Sequence, residues 1–111
     1  MSHRDVFVVS TARTAIGTFG GSLKDVPNTQ LATTAVRAAI ARAGIAPDAV
    51  SHVVMGNVIP TDTKDAYLSR VAAIDAGCPI ETPAFNVNRL CGSGLQAIVS
   101  AAQAIQLGDC D

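Results

Sequence analysis

The sequence predicts an α/β fold with the order β-α-β-α-β-α around a mainly parallel sheet. Three observations carry this reading. Short apolar runs occur at Val6-Phe7-Val8-Val9, at residues 50–55 and at residues 84–88. Segments with helical apolar spacing separate and follow them, and glycine and proline punctuate the boundaries. Strands that alternate with helices pair in parallel through right-handed crossovers.

The first run is apolar on both faces, which suits a strand covered on both sides. A loop with Gly17, Gly20 and Gly21 follows. It lacks the G-x-x-x-x-G-K-[ST] spacing and does not open onto a helix, so it reads as a structural loop and not as a phosphate cradle. Pro27-Asn28-Thr29 offers polar caps to the first helix. There Leu31, Val36, Ala39, Ile40 and Ala43 share a face, with Arg37 and Arg42 outside it. Gly44 and Pro47 close that helix. Residues 50–55 form the second strand, in which His52 is expected to be a satisfied histidine. Residues 65–76 form the second helix, which turns Leu68, Val71 and Ala72 inward and stops at Gly77 and Pro79. Residues 84–88 form the third strand, and the last helix runs over residues 92–107.

That last helix has no charged residue from Leu90 to Gly108 and is apolar around most of its circumference. A helix of this kind is buried on nearly all sides. Gln96, Gln103 and Gln106 would be costly in lipid and the stretch is short for a span, so a core position is favoured over a membrane. Three strands and three helices cannot enclose it. The 111 residues are therefore expected to be part of a larger domain, and to aggregate or stay molten alone.

Composition agrees. The chain is 49% hydrophobic with 15% charged residues, against about 25% charged in ordinary domains. A formal net charge of -1 and the lack of basic clusters argue against nucleic-acid binding, which needs cations to neutralise phosphates. The start of the chain has no apolar h-region, so a cytoplasmic location is expected. The three cysteines, Cys78, Cys91 and Cys110, contain no C-x-x-C pair, and His3 and His52 are the two histidines. Neither a metal site nor a disulfide framework is expected. Asp109 and Asp111 bracket Cys110 but read as a solvated turn.

Cys91 stands apart. The stretch Asn88-Arg89-Leu90-Cys91-Gly92-Ser93-Gly94-Leu95 places it between the third strand and the last helix. Unpartnered N–H groups and the peptide dipoles at a helix start favour a thiolate and an adjacent oxyanion. Gly92 and Gly94 lack side chains that would keep a bulky substrate from the sulfur. The arrangement has the logic of a nucleophile elbow built on sulfur. A bland alternative is a cysteine that merely packs. Another is a dinucleotide-binding turn, because Gly92-Ser93-Gly94-Leu95-Gln96-Ala97 spells G-x-G-x-x-A. That turn needs an acidic residue at the end of a following strand, which these residues do not contain.

The block from Asn88 to Ala97 resembles the nucleophile signature of the thiolases, the acyl-CoA C-acyltransferases also called β-ketothiolases. The similarity runs along the chain. Val8-Val9-Ser10 with Arg13 to Leu23 resembles the opening strand and loop of that family. Val53-Val54-Met55-Gly56-Asn57-Val58 resembles its second strand, and Gly108-Asp109 the turn after the nucleophile helix. The resemblance implies an incomplete N-terminal half of a layered α-β-α-β-α fold in which the last helix lies between two similar halves. It implies a homodimer or homotetramer, with Tyr67 and Arg70 as candidates for a subunit contact.

It also implies ping-pong acyl transfer on Cys91. Acetyl-CoA and acyl-CoA or 3-oxoacyl-CoA are the expected substrates, and no further cofactor is expected. The remaining acid–base groups of the family, a histidine in an N-E-A-F region, a histidine in G-H-P and a cysteine in C-x-G, have no counterpart among His3, His52, Cys78 and Cys110. Cofactor-binding residues are not identified. A ketoacyl-synthase-type condensing enzyme is the alternative within acyl transfer, and a dinucleotide-binding oxidoreductase the alternative outside it.

Overall fold

A computed structural model describes residues 3–111 of the chain. Met1 and Ser2, part of the start from which a cytoplasmic location is read, lie outside the described residues. The elements are α1 (Asn28–Ala43), β1 (Val53–Gly56), α2 (Leu68–Asp75), β2 (Ala84–Val87) and α3 (Ser93–Leu107). Short 3₁₀ turns occupy Pro47–Ala49 and Thr63–Tyr67. β1 and β2 pair in parallel, with Val53 opposite Ala84 and Gly56 opposite Val87.

Side-chain alternation along β1 assigns the helices to faces. Val53 is buried with Ile40, Ala73, Ala76 and Cys78, so one face of the sheet carries α2, with α1 packed behind it. A second cluster of Ala32, Leu68 and Ala72 continues this core, joined to the first through Val36 and Met55. Burial pushes the Cys78 thiol pKa up, which makes this cysteine a packing residue. Val54 and Gly56 point to the other face, where α3 lies. Gly56 is a glycine for a steric reason. A Cβ there would stand 2.7 Å from the Ser93 carbonyl carbon and 2.9 Å from the Gly94 nitrogen, closer than real contacts allow. The end of β1 therefore rests directly on the start of α3.

Several expectations are corrected. Val6-Phe7-Val8-Val9 is not a strand, so the described sheet has two strands where three are expected. A strand needs a neighbour to take its backbone hydrogen bonds. Residues 6–8 instead line a groove of about 570 Å³ whose other walls are Val54, Met55, Gly56 and the Ala97–Ile98 side of α3. Asn28 begins α1 with Pro27 at the cap position and no side-chain cap. Its amide is used elsewhere, on Asp65 at 2.8 Å and Thr61 at 2.9 Å. The second helix splits, and Tyr67 lies in the 3₁₀ turn ahead of α2. Arg70 spends its guanidinium on the carbonyls of Thr82 and Ile80, at 2.8 and 2.7 Å. His52 is not satisfied. Its Nε2 is buried without a partner, and the ring meets Phe85 edge-on at 5.5 Å between centroids.

Other punctuation holds. Gly44 ends α1 in the left-handed conformation at φ 70°, and Gly108 ends α3 at φ 81°, as C-terminal glycines do. Asp111 is an exposed residue that pairs with Arg4 and accepts from the Ser51 hydroxyl through its carbonyl at 2.9 Å. Among the described residues no helix is long and apolar enough to cross a membrane. Among the described residues no three metal-ligating side chains come together.

Candidate active site

The chain leaves β2 at Val87 and must reverse into α3 within five residues, Asn88 to Gly92. Leu90 absorbs the reversal. At φ 49° it is the one non-glycine residue in the left-handed region among the described residues, a conformation that costs about 1–2 kcal/mol for a side-chain-bearing residue. Hydrogen bonds hold it there. Asn88 Oδ1 accepts from the Leu90 N–H at 3.0 Å. The buried Ser93 hydroxyl accepts from the Arg89 N–H at 2.9 Å and donates to the Leu90 carbonyl at 2.6 Å. Gly92 N–H and Ser93 N–H donate to the Arg89 and Leu90 carbonyls at 3.0 and 3.1 Å.

Cys91 therefore sits on the outside of a tight, strained corner, exposed, while Ser93 is buried beneath it. The Cys91 N–H has no acceptor of good geometry among the described residues, in contrast to the N–H groups of Gly92 and Ser93. A free N–H beside an exposed thiol is the pair that a thioester carbonyl requires, one group to attack and one to receive the oxyanion. Gly94, one turn on, has nothing within 4 Å of the position a Cβ would take. Its bare backbone borders the groove that residues 6–8 line, on the sheet side of α3. It is Gly56, not Gly94, whose missing side chain lets the elements pack closely.

The cysteine expected to act is thus the exposed one. Cys78 is buried and Cys110 half-buried, and neither histidine joins Cys91. A depression of about 220 Å³ lined by Arg89, Gly92, Leu95, Gln96 and Val99 adjoins the elbow. A larger one of about 600 Å³ lies between the Gly17–Asn28 loop and Thr61-Asp62. Its lining carries no thiol or imidazole, so the chemistry is assigned to the elbow.

Sequence reading did not anticipate a polar network beside the ends of β1 and α1. Asp65 is 1% exposed and accepts from Thr61 Oγ1 at 2.7 Å, Thr61 N–H at 3.0 Å and Asn28 Nδ2 at 2.8 Å. The Thr61 hydroxyl and N–H hold its carboxyl pKa below the ordinary aspartate value, against the opposing effect of burial. Asn57 and Asn86 donate to the Asp65 carbonyl, and Asn86 accepts from the Ser69 N–H. The signal was present as uncharged amides at the ends of apolar strands.

A family model described as "Thiolase, N-terminal domain" matches residues 6–111. The chain belongs to the thiolase family. It is 64% identical over 108 residues to the beta-ketothiolase BktB of Cupriavidus necator, covering 97% of this chain and 27% of that protein. Among solved structures it superposes on human mitochondrial 3-ketoacyl-CoA thiolase in complex with CoA with a TM-score of 0.92 at 42% identity, covering 95% of this chain and 27% of that one. For the Bacillus anthracis acetyl-CoA acetyltransferase the TM-score is 0.93 at 39% identity, covering 99% and 28%. The structure is thus an N-terminal part of the thiolase fold, and the chain spans about a quarter of the length of the relatives it matches. With the family shown, the G-x-G-x-x-A spelling after β2 is the turn from the elbow into α3, and the dinucleotide reading falls away.

Proposed function

We propose that this chain supplies the nucleophile of an acetyl-CoA C-acyltransferase that forms or thiolytically cleaves 3-oxoacyl-CoA. The observation that carries the proposal is the exposed Cys91 thiol beside its own free N–H, on a strained elbow at the head of α3. Its setting in a thiolase chain 64% identical to a beta-ketothiolase supports the substrate class.

The Cys91 thiolate attacks the thioester carbonyl of an acyl-CoA. The new carbon–sulfur bond forms as the carbonyl becomes an oxyanion, received by the Cys91 N–H. Collapse expels the CoA thiolate and leaves an acyl thioester on Cys91. Acetyl-CoA, deprotonated at its methyl carbon, then attacks that thioester, which frees Cys91 and yields 3-oxoacyl-CoA. The reverse sequence is thiolysis. Sulfur suits both halves, because a protein thioester and a CoA thioester exchange at little cost. The proton transfers need acid–base groups, which the family resemblance assigns to two histidines and a cysteine outside these residues. CoA thioesters are substrates here, no other cofactor is part of the proposal, and a homo-oligomer in the cytoplasm completes it.

A chimera tests the reading directly. These 111 residues would replace the matching segment of the Cupriavidus necator relative, and acetoacetyl-CoA thiolysis would be followed. The expected result is turnover within about tenfold of that relative, lost by at least about a thousandfold in Cys91→Ser, whose hydroxyl is a far weaker nucleophile. Turnover that survives Cys91→Ser would contradict the proposal.

A further inference from the structure

The elbow is strained, and strain of this kind persists only where its surroundings over-determine it. Two devices do so here, and they differ in reach. The Ser93 hydroxyl bonds to Arg89 and Leu90, so both its partners lie within the elbow. Asn88 does more. Its Oδ1 accepts from the Leu90 N–H at 3.0 Å while its Nδ2 donates to the Val58 carbonyl at 3.2 Å. Val58 belongs to the segment after β1, and that segment is itself pinned. The Asn57 N–H donates to the Val87 carbonyl at 3.1 Å, and Asn57 Nδ2 to the Asp65 carbonyl at 2.9 Å.

Resting on the reading of Cys91 as nucleophile, we propose that Asn88 is a positioning residue for acyl transfer. Its amide clamps the left-handed Leu90 and ties the elbow to the end of β1, which fixes the Cys91 N–H and sulfur against the incoming thioester. A side chain that bonds a backbone N–H two residues on stabilises a turn, and here the same side chain also references that turn to the sheet. Small errors of placement at a reacting centre are costly in rate. Asn88 is exposed, so its replacement hollows no core.

The test uses the chimera carrying Asn88→Ala and Asn88→Ser, with two readouts. One is turnover of acetoacetyl-CoA. The other is alkylation of Cys91 by iodoacetamide, followed by peptide mapping, which needs an accessible thiol but no oriented oxyanion donor. Asn88→Ala is expected to lower kcat roughly tenfold, the loss of about one hydrogen bond's worth of alignment, with KM and the alkylation rate within about twofold of the parent. Asn88→Ser keeps an acceptor for the Leu90 N–H but cannot reach Val58, and should fall between parent and Ala at roughly threefold. Unchanged kcat in Asn88→Ala, alkylation that falls in step with kcat, or Ser no better than Ala would each overturn the positioning role. A parent chimera in which Cys91 is never acylated would instead sink the nucleophile reading, and this inference with it.

Discussion

Helices α2 and α3 cover opposite faces of the same two-stranded sheet, yet they are enclosed to very different degrees. In α2, Ala72 and Ala73 are fully buried, shut between α1 and the strands. In α3, Ala97 is buried against the sheet, but Leu95 is 69%, Ile98 61% and Leu107 66% exposed. The more apolar helix is the less covered one. Burying a Leu or Ile side chain contributes about 1.5–3 kcal/mol, so the outer face of α3 leaves several such contributions unused, against about 5–15 kcal/mol for the stability of a whole domain. A helix built for enclosure on all sides, with cover on one, indicates that its remaining neighbours lie outside these residues.

The largest expected effect follows from that contrast. Alone, the 111 residues should aggregate or stay molten, without a cooperative thermal transition. In the chimera, Leu95→Ala and Ile98→Ala should each cost about 2–5 kcal/mol, the cost of emptying a core site. Chemical denaturation measures this. Costs below about 0.5 kcal/mol, typical of true surface positions, would show that the outer face of α3 stays in water. A sharp unfolding transition for a monomer of the 111 residues would show that α3 needs no further cover.

A smaller effect concerns Asp65, on the α2 side. Its pKa is lowered by the Thr61 bonds, so its carboxylate contributes stability above the unfolded aspartate value of ~3.9. That contribution is lost as pH falls below this value and through the lower native one. Stability of the chimera measured by denaturant from pH 7 to pH 3 should therefore exceed that of Asp65→Asn at neutral pH, with the gap narrowing below about pH 4. A gap that widens on acidification would contradict the assignment.

Where local chemistry decides the structure, the sequence was readable. Gly44, Gly77 and Gly108 marked helix ends because the left-handed turns there favour glycine, and the exposed turn that carries Cys91 was legible from the glycines that follow it at the helix start. Nonlocal features were not. Val6-Phe7-Val8-Val9 carries a strand's composition, yet a strand exists only with a partner, and Val8 is 77% exposed. Asp65 reads as the polar first residue of the second helix, but it lies buried in the 3₁₀ turn ahead of α2. Its burial depends on Asn28 and Asn57, which lie in other elements. Leu90 gives no sign of its left-handed conformation, because the residues that impose it, Asn88 and Ser93, act through side-chain bonds to the backbone.

The acyl group is expected on the exposed thiol at the head of α3, and not on the buried one beside α2. Brief exposure of the chimera to radiolabelled acetyl-CoA, acid quenching and peptide mapping tests it. Label should reside on the peptide containing Cys91 and vanish in Cys91→Ser, with Cys78 and Cys110 unmodified. Label on Cys78 or Cys110 with Cys91 free would contradict the assignment of Cys91 as nucleophile.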